Sequence, residues 1–320
     1  MSTSPLLQAP GAVPGEGLDA GVAAHYGDPM REQRILAEGL GVVDLSHRGV
    51  VTVTGPDRLS WLHSLTSQQL TGLAPRTSAE SLVLTPKGHV EHALHLVDDG
   101  ETTWITVEPG TAASLAAWLD SMRFMLRVEV ADVSDRYAVL GETVDREGSE
   151  GEPPTWVDPW PRLVGDSALY GPPVEEHPGR DRRWREVIVP VDEVAAAVGD
   201  RELVGTWAAE ALRIAAWRPR LGAETDHRTI AHELDWLRTA VHLHKGCYRG
   251  DHARGARRRS DHLRRPSPRG RPDRACPAQA QHRRLRRPAR RPGHRRRPDG
   301  GRPPGVSRVT FCCLWLAVAN

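Results

Sequence analysis

A lysine and a cysteine lie two residues apart in Lys245-Gly246-Cys247-Tyr248-Arg249-Gly250, the segment of this chain with the clearest chemical potential. A cation near a thiol lowers its pKa and raises the thiolate fraction. Gly246 and Gly250 permit tight backbone geometry around the pair. Without placed His or Asp partners, Cys247 equally suits a buried loop residue. Upstream, Glu224, Asp226 and Glu233 set three carboxylates in a polar stretch ahead of Leu234-Asp235-Trp236-Leu237. Carboxylates there either accept hydrogen bonds from an amide- or amine-rich heterocycle or cap a helix and face water. Glu91 with His92, just after the Lys87-Gly88 turn, is a candidate general base or an outward polar residue of an alternating strand. His242 and His244 alternate before Lys245, with His227 and His232 upstream. A metal site needs more convergent ligands at defined spacing, and these read as surface histidines.

The elements that must carry these residues are legible in outline. Residues 50–54 are β-branched and strand-like, and Gly55-Pro56 breaks them. Asp57 is placed to cap a following helix with Leu59, Leu62 and Leu65. Strands are expected over 82–84, 89–97, 104–107, 128–133, 137–140 and 187–191, with a turn at Asp98-Asp99-Gly100. Helices are expected over 32–40, 111–122 (capped by Thr111), 191–198 and 206–217. Residues 143–186, rich in Pro, Gly and charge, read as a seam or long excursions. Strand pairs recurring between helices give an α+β chain with mainly antiparallel sheets.

Charge divides the chain. Residues 251–320 hold 20 Arg, 4 Asp and no Lys or Glu, a net of +16, whereas residues 1–250 carry −14. No run of about 18 apolar residues suggests a membrane span. Residues 1–21 are Pro-, Gly- and Ala-rich with neither a basic nor an apolar stretch, and read as a disordered leader. Cys247, Cys276, Cys312 and Cys313 are too few and too C-terminal for a disulfide framework, which points to a reducing, cytoplasmic setting. The expected layout is a first α+β domain over 22–135, a second over 136–250, and an Arg/Pro-rich disordered tail over 251–320.

Several motifs occur together in order: His25-Tyr26, Gly41-Val42-Val43-Asp44-Leu45-Ser46, Val53-Thr54-Gly55-Pro56-Asp57, Trp61-Leu62-His63-Ser64-Leu65, Gly88, Trp104-Ile105-Thr106-Val107, Ala211-Leu212-Arg213-Ile214 and the Lys245–Gly250 signature. Jointly they resemble the YgfZ-type folate-binding proteins, relatives of the glycine cleavage T-protein (aminomethyltransferase), over about residues 22–250. That resemblance implies α+β domains around a central folate cavity and a small C-terminal β-barrel. It implies tetrahydrofolate as cofactor, iron–sulfur enzymes as client partners, and a role in cluster assembly or repair. The alternative it leaves is a folate-dependent, aminomethyltransferase-like transferase. Carried over residue by residue, Lys245 and Cys247 take the catalytic positions. Tyr248 belongs to the signature, Glu224, Asp226 and Glu233 fall where relatives contact the pterin, and these four with Glu91 are the expected folate-binding residues. Glu91-His92 stands where aminomethyltransferases carry an aspartate pair, which weakens aminomethyl transfer.

The signature of that family continues with Gln-Glu and a barrel domain, whereas here Asp251-His252-Ala253-Arg254 follows. Between Asp251 and Phe311 the only Val, Ile or Leu residues are Leu263, Leu285, Val306 and Val309. Such a segment cannot bury enough apolar area to offset its ordering entropy. It reads as the out-of-frame product of a GC-rich gene, so that the family barrel is missing. The alternative is an Arg-rich arm on nucleic acid; without lysines or interleaved aromatics, no specific nucleic-acid partner is expected.

Overall fold

The computed structural model describes residues 4–246. In chain order they form β1 (Val13–Pro14), β2 (Ala23–His25), α1 (Pro29–Ala37), β3 (Gly41–Asp44), β4 (Gly49–Thr54), α2 (Arg58–Leu65), β5 (Ser78–Leu84), β6 (Val90–Asp98), β7 (Thr102–Val107), α3 (Ala112–Ser121) and β8 (Glu129–Asp132). There follow β9 (Tyr137–Glu142), β10 (Thr155–Val157), β11 (Arg185–Pro190), α4 (Val194–Val198), β12 (Glu202–Val204), α5 (Thr206–Ala215) and α6 (Leu237–Ala240). The class is α+β. One five-stranded sheet runs β5-β6-β7-β4-β8, antiparallel throughout. The other runs β10-β11-β9-β3-β12, with β12 parallel to β3 and the rest antiparallel.

The local chemistry explains most boundaries. Asp28 caps α1 by accepting from the Arg31 amide at 3.0 Å, and Pro29 opens the helix. Glu32, 3% exposed, accepts from the amides of Tyr26, Asp28 and Gly205, so it ties α1 to two loops. Gly55 ends β4 at φ 103°, and a Cβ there would meet the Arg127 carbonyl at 2.1 Å. Asp57 does not cap α2; its carboxylate binds the backbone and guanidinium of Arg127. Thr111 likewise makes no cap, because its hydroxyl donates to the Glu108 carbonyl at 2.7 Å.

Two expectations about organisation need correction. The segment read as a disordered leader is ordered from residue 4 onward. β1 pairs with β2, the Ser4 amide donates to the Gly21 carbonyl at 2.9 Å, and Asp19 is bound by His47 and Arg220. Composition concealed these polar anchors, and Leu6 adds an apolar contact to the core around Val42 and Leu140. Nor do the sheets divide at residue 135, since β3 from the first segment sits between β9 and β12 of the second. The 143–186 excursion contributes β10, whose Trp156 indole donates to the Ala79 carbonyl across the sheets at 2.8 Å.

Apolar packing follows the strand alternation. α2 and α3 cover one face of the β4–β8 sheet through Trp61, Leu62, Leu115 and Leu119 against Val51, Leu94, Leu96 and Ile105. A second core joins Leu36, Val43, Val139, Trp156, Trp184 and Ile188. Between α3 and β8, Phe124 and Met125 stand 83% and 98% exposed, and Phe124 has φ 47°. Among the described residues no helix is long and apolar enough to cross a membrane.

Candidate active site

The opposite face of the β5-β6-β7 ladder carries charge where apolar residues would be expected. Glu80 on β5 pairs in register with His95 on β6, which pairs with Thr106 on β7. With Glu186 of β11 and Trp156 of β10 they line a chamber of about 50 Å³, bordered by both sheets and by α5. Burying charge is costly unless it is paired and hydrogen-bonded, and here it is paired densely. Arg218 donates to Glu80 at 2.8 Å and to Asp158 at 3.1 Å, and Arg182 donates to the same Asp158 oxygen at 3.0 Å. Arg220 donates to Glu108 at 3.0 Å and Glu210 at 3.2 Å, and lies 2.8 Å from Asp19. Arg48 donates to Glu186 at 2.9 Å.

The titration of these groups follows from that pairing. Burial alone would raise Asp158, but Arg218 and Arg182 hold it below the ordinary carboxylate range. Glu186 is also held low, against its burial, by Arg48, His95 and Thr106. Arg218 is raised by Asp158 and Glu80 against its burial. Two atoms of this network stay open. Glu80 Oε2 and Arg218 Nη1 are buried with no hydrogen-bond partner among the described residues. Buried polar atoms are nearly always satisfied, so an acceptor and a donor stand ready in one chamber.

Arg218, Pro219 and Arg213 form a wall between this chamber and an outer pocket of about 550 Å³. Its surface is aromatic and aliphatic, from Trp160, Tyr170, Ile214, Trp217 and Leu234, with Glu224 and Glu233 among its polar groups. Trp217 is 61% exposed, at φ 51°, and takes His177 edge-on with ring centres 5.9 Å apart. Glu224 is held by Arg213 at 2.8 and 3.0 Å, which joins the outer pocket to the charged chamber. Glu233 accepts from the Ile230 amide at 3.1 Å.

The residues singled out from sequence therefore separate. Glu224 and Glu233 share the outer pocket, and with Asp226 they line a polar hollow beside it. Asp226 itself is engaged in its own turn, accepting from the Arg228 amide and the Thr229 hydroxyl. Glu91 is an exposed residue at a β-bulge. Val83 pairs with His92 and Leu84 with Val90, which leaves Glu91 as the extra residue, outside the lining of either cavity. Lys245 lines neither cavity. Its ammonium donates to the His63 carbonyl in the last turn of α2, a favourable place for a cation. Burial pushes its pKa down to about 8. Cys247 and Tyr248, and the tail over 251–320, lie outside the described residues. Sequence reasoning missed Glu80, His95, Asp158, Glu186 and Arg218. The available signal was a charged residue at an inward position of an apolar strand, as in Ala93-Leu94-His95-Leu96-Val97.

The fold is that of a known enzyme. The glycine cleavage system aminomethyltransferase T from Bartonella henselae superposes with a TM-score of 0.61 at 18% identity, over 80% of this chain and 73% of that one. Residues 7–141 match the GCVT N-terminal domain family. The domain match and the aminomethyltransferase relatives support the glycine cleavage T-protein superfamily, and the structural neighbour shows the fold. An aminomethyltransferase of Chromobacterium violaceum is 31% identical over 100 residues, 31% of this chain and 28% of the relative. A chloroplastic transferase-like protein of Arabidopsis thaliana is 26% identical over 240 residues, 66% of this chain and 51% of the relative. The chain thus spans between about a quarter and a half of the length of these curated relatives.

Proposed function

We propose that this protein binds a reduced folate through the outer pocket and the chamber behind it. The observation that carries the reading is an aromatic pocket with Glu224 and Glu233 among its lining, which shares Arg218 with the chamber where Arg218 Nη1 and Glu80 Oε2 stand unpartnered among the described residues. Its volume falls in the range of small-molecule sites, whereas the inner chamber alone is too small for a folate. Tyr170 and Trp217 offer exposed ring surface, and the carboxylates are acceptors for the N–H groups of a pterin. Tetrahydrofolate, when bound, carries one-carbon units. Calorimetric titration of the full chain with tetrahydrofolate should show one site that weakens at least several-fold in Glu224→Gln and Trp217→Ala. Absence of binding, or binding unchanged in both variants, refutes the reading.

The Lys245–Gly250 signature supports the YgfZ branch of the superfamily. On that branch the role is maintenance of iron–sulfur client enzymes, with Cys247 as the working thiol beside Lys245. Complementation of an iron–sulfur enzyme defect, lost in Cys247→Ala, tests this. The second reading is folate-dependent aminomethyl transfer. It is favoured by the relatives named as aminomethyltransferases and opposed by Glu91-His92 in place of an aspartate pair. An assay for folate-dependent release of ammonia separates the two. The charge reversal after Gly250 supports an out-of-frame tail, and the DNA sequence across codon 250 decides it.

A further inference from the structure

The imidazole of His95 is held in a way that the folate reading does not require. It stacks flat on Trp156, with ring centres 3.7 Å apart and planes 5° from parallel. Its Nδ1 lies 3.0 Å from Oε2 of Glu186, whose side chain is 1% exposed. Glu186 is saturated by donors. Arg48 reaches Oε1 at 2.9 Å, Thr106 reaches Oε2 at 2.8 Å, and the Trp184 indole lies 3.4 Å from Oε1. An ionised carboxylate accepts only, so the Nδ1 contact requires a proton on Nδ1. Arg48 Nη1 also lies 3.4 Å from Nδ1, but its better-placed acceptor is Glu186 Oε1. Nε2 is then the unprotonated nitrogen of the neutral ring. It has no partner among the described residues, and the ring borders the chamber. The charged groups facing it from neighbouring elements are Arg48, Glu80 opposite on β5, Asp158 and Glu186.

We propose that His95 and Glu186 form a proton-transfer dyad, in which His95 Nε2 is the base for a protic group admitted to the chamber. That group is water or the N–H of a ligand seated at the Arg218 wall. In the step the ligand's N–H or O–H bond breaks and its electron pair stays on the ligand. The proton goes to Nε2, and the resulting imidazolium is stabilised by Glu186. The arrangement follows the logic of a carboxylate-oriented imidazole base.

The dyad rests on the chamber's geometry, and only the second measurement below rests on the folate reading. The full chain labelled with 15N-histidine is followed by long-range proton–nitrogen NMR, with His95→Gln assigning the resonance. His95→Phe, which keeps a ring against Trp156, assigns it if His95→Gln fails to fold. The expected neutral ring carries its proton on Nδ1 and gains the second at Nε2 as pH falls. A neutral ring protonated at Nε2 overturns the proposal. So does an imidazolium at every pH at which the protein is folded. Second, tetrahydrofolate binding is measured by calorimetry in two buffers of different ionisation enthalpy. The wild type should exchange protons on binding, and His95→Phe should not; equal exchange by both also overturns the dyad. If neither protein binds tetrahydrofolate, the folate reading fails while the NMR result still decides the dyad.

Discussion

Replacing Arg218 by methionine tests whether the chamber is an integrated ionic structure. The side chain is 5% exposed, and its partners Glu80 and Asp158 are 0% and 2% exposed. Methionine retains much of the volume but removes every donor. Asp158 keeps Arg182 at 3.0 Å, so its charge stays compensated. Glu80 keeps only the Trp236 indole at 3.1 Å and becomes a buried, nearly bare carboxylate. Removing one member of a buried pair costs about 3–5 kcal/mol, mainly through the charge left behind. For a folded unit of this size that lowers Tm by roughly 6–20 °C. Neutralising the stranded charge should restore part of the loss. Arg218→Met with Glu80→Gln is therefore expected to be at least about 1 kcal/mol more stable than Arg218→Met alone. Urea unfolding of wild type, both single variants and the double variant gives the full cycle. A loss below about 1 kcal/mol in Arg218→Met would show that the network behaves like a surface pair. A double variant no better than the single one would show that Glu80 is not the stranded group.

Two carboxylates of the chamber set an acid limit. Asp158 and Glu186 are depressed in the folded protein. Their contribution is therefore present above the unfolded value of about 4 and lost as pH falls through it toward the folded values. The urea midpoint should drop steeply below about pH 4, less so in Glu186→Gln. Lys87 and Lys245 are the only lysines, so acylation followed by mass spectrometry reads Lys245 cleanly. Its reactivity should rise with a midpoint near 8, and a midpoint at the ordinary lysine value of about 10.4 would remove the burial argument. Phe124→Asn should leave the protein as stable or up to about 1 kcal/mol more stable, because Asn tolerates the left-handed backbone and the lost ring is 83% exposed. A loss above about 1 kcal/mol would show that the ring packs in solution.

The elements were largely legible because apolar alternation and turn residues mark them locally. β4, α2, β7 and α3 fall within a few residues of where Val50-Val51-Thr52-Val53, the leucines after Asp57, and Asp98-Asp99-Gly100 put them. The chamber was not legible, because His95, Glu186, Asp158 and Arg218 are far apart in the chain and meet only through strand register and loop path. Glu224 and Glu233 could be singled out because they lie nine residues apart in one loop region. Glu91 was legible as an outward polar residue of a strand; the bulge that makes it the extra residue has no local signature.

The placement of β3 bears on how the chain comes into being. Gly41–Asp44 is synthesised early, yet its neighbours in the sheet are β9, about a hundred residues later, and β12, later still. Pairing at such separation closes large loops before any contact rewards it, which slows folding. During translation β3 must therefore wait with both edges unpaired until residue 142 and then residue 204 emerge. Unpaired strand edges recruit other chains, so this interval is when a nascent chain is most open to a chaperone or to aggregation. A ribosome stalled between those two points would display a sheet with one side built and the other still a template.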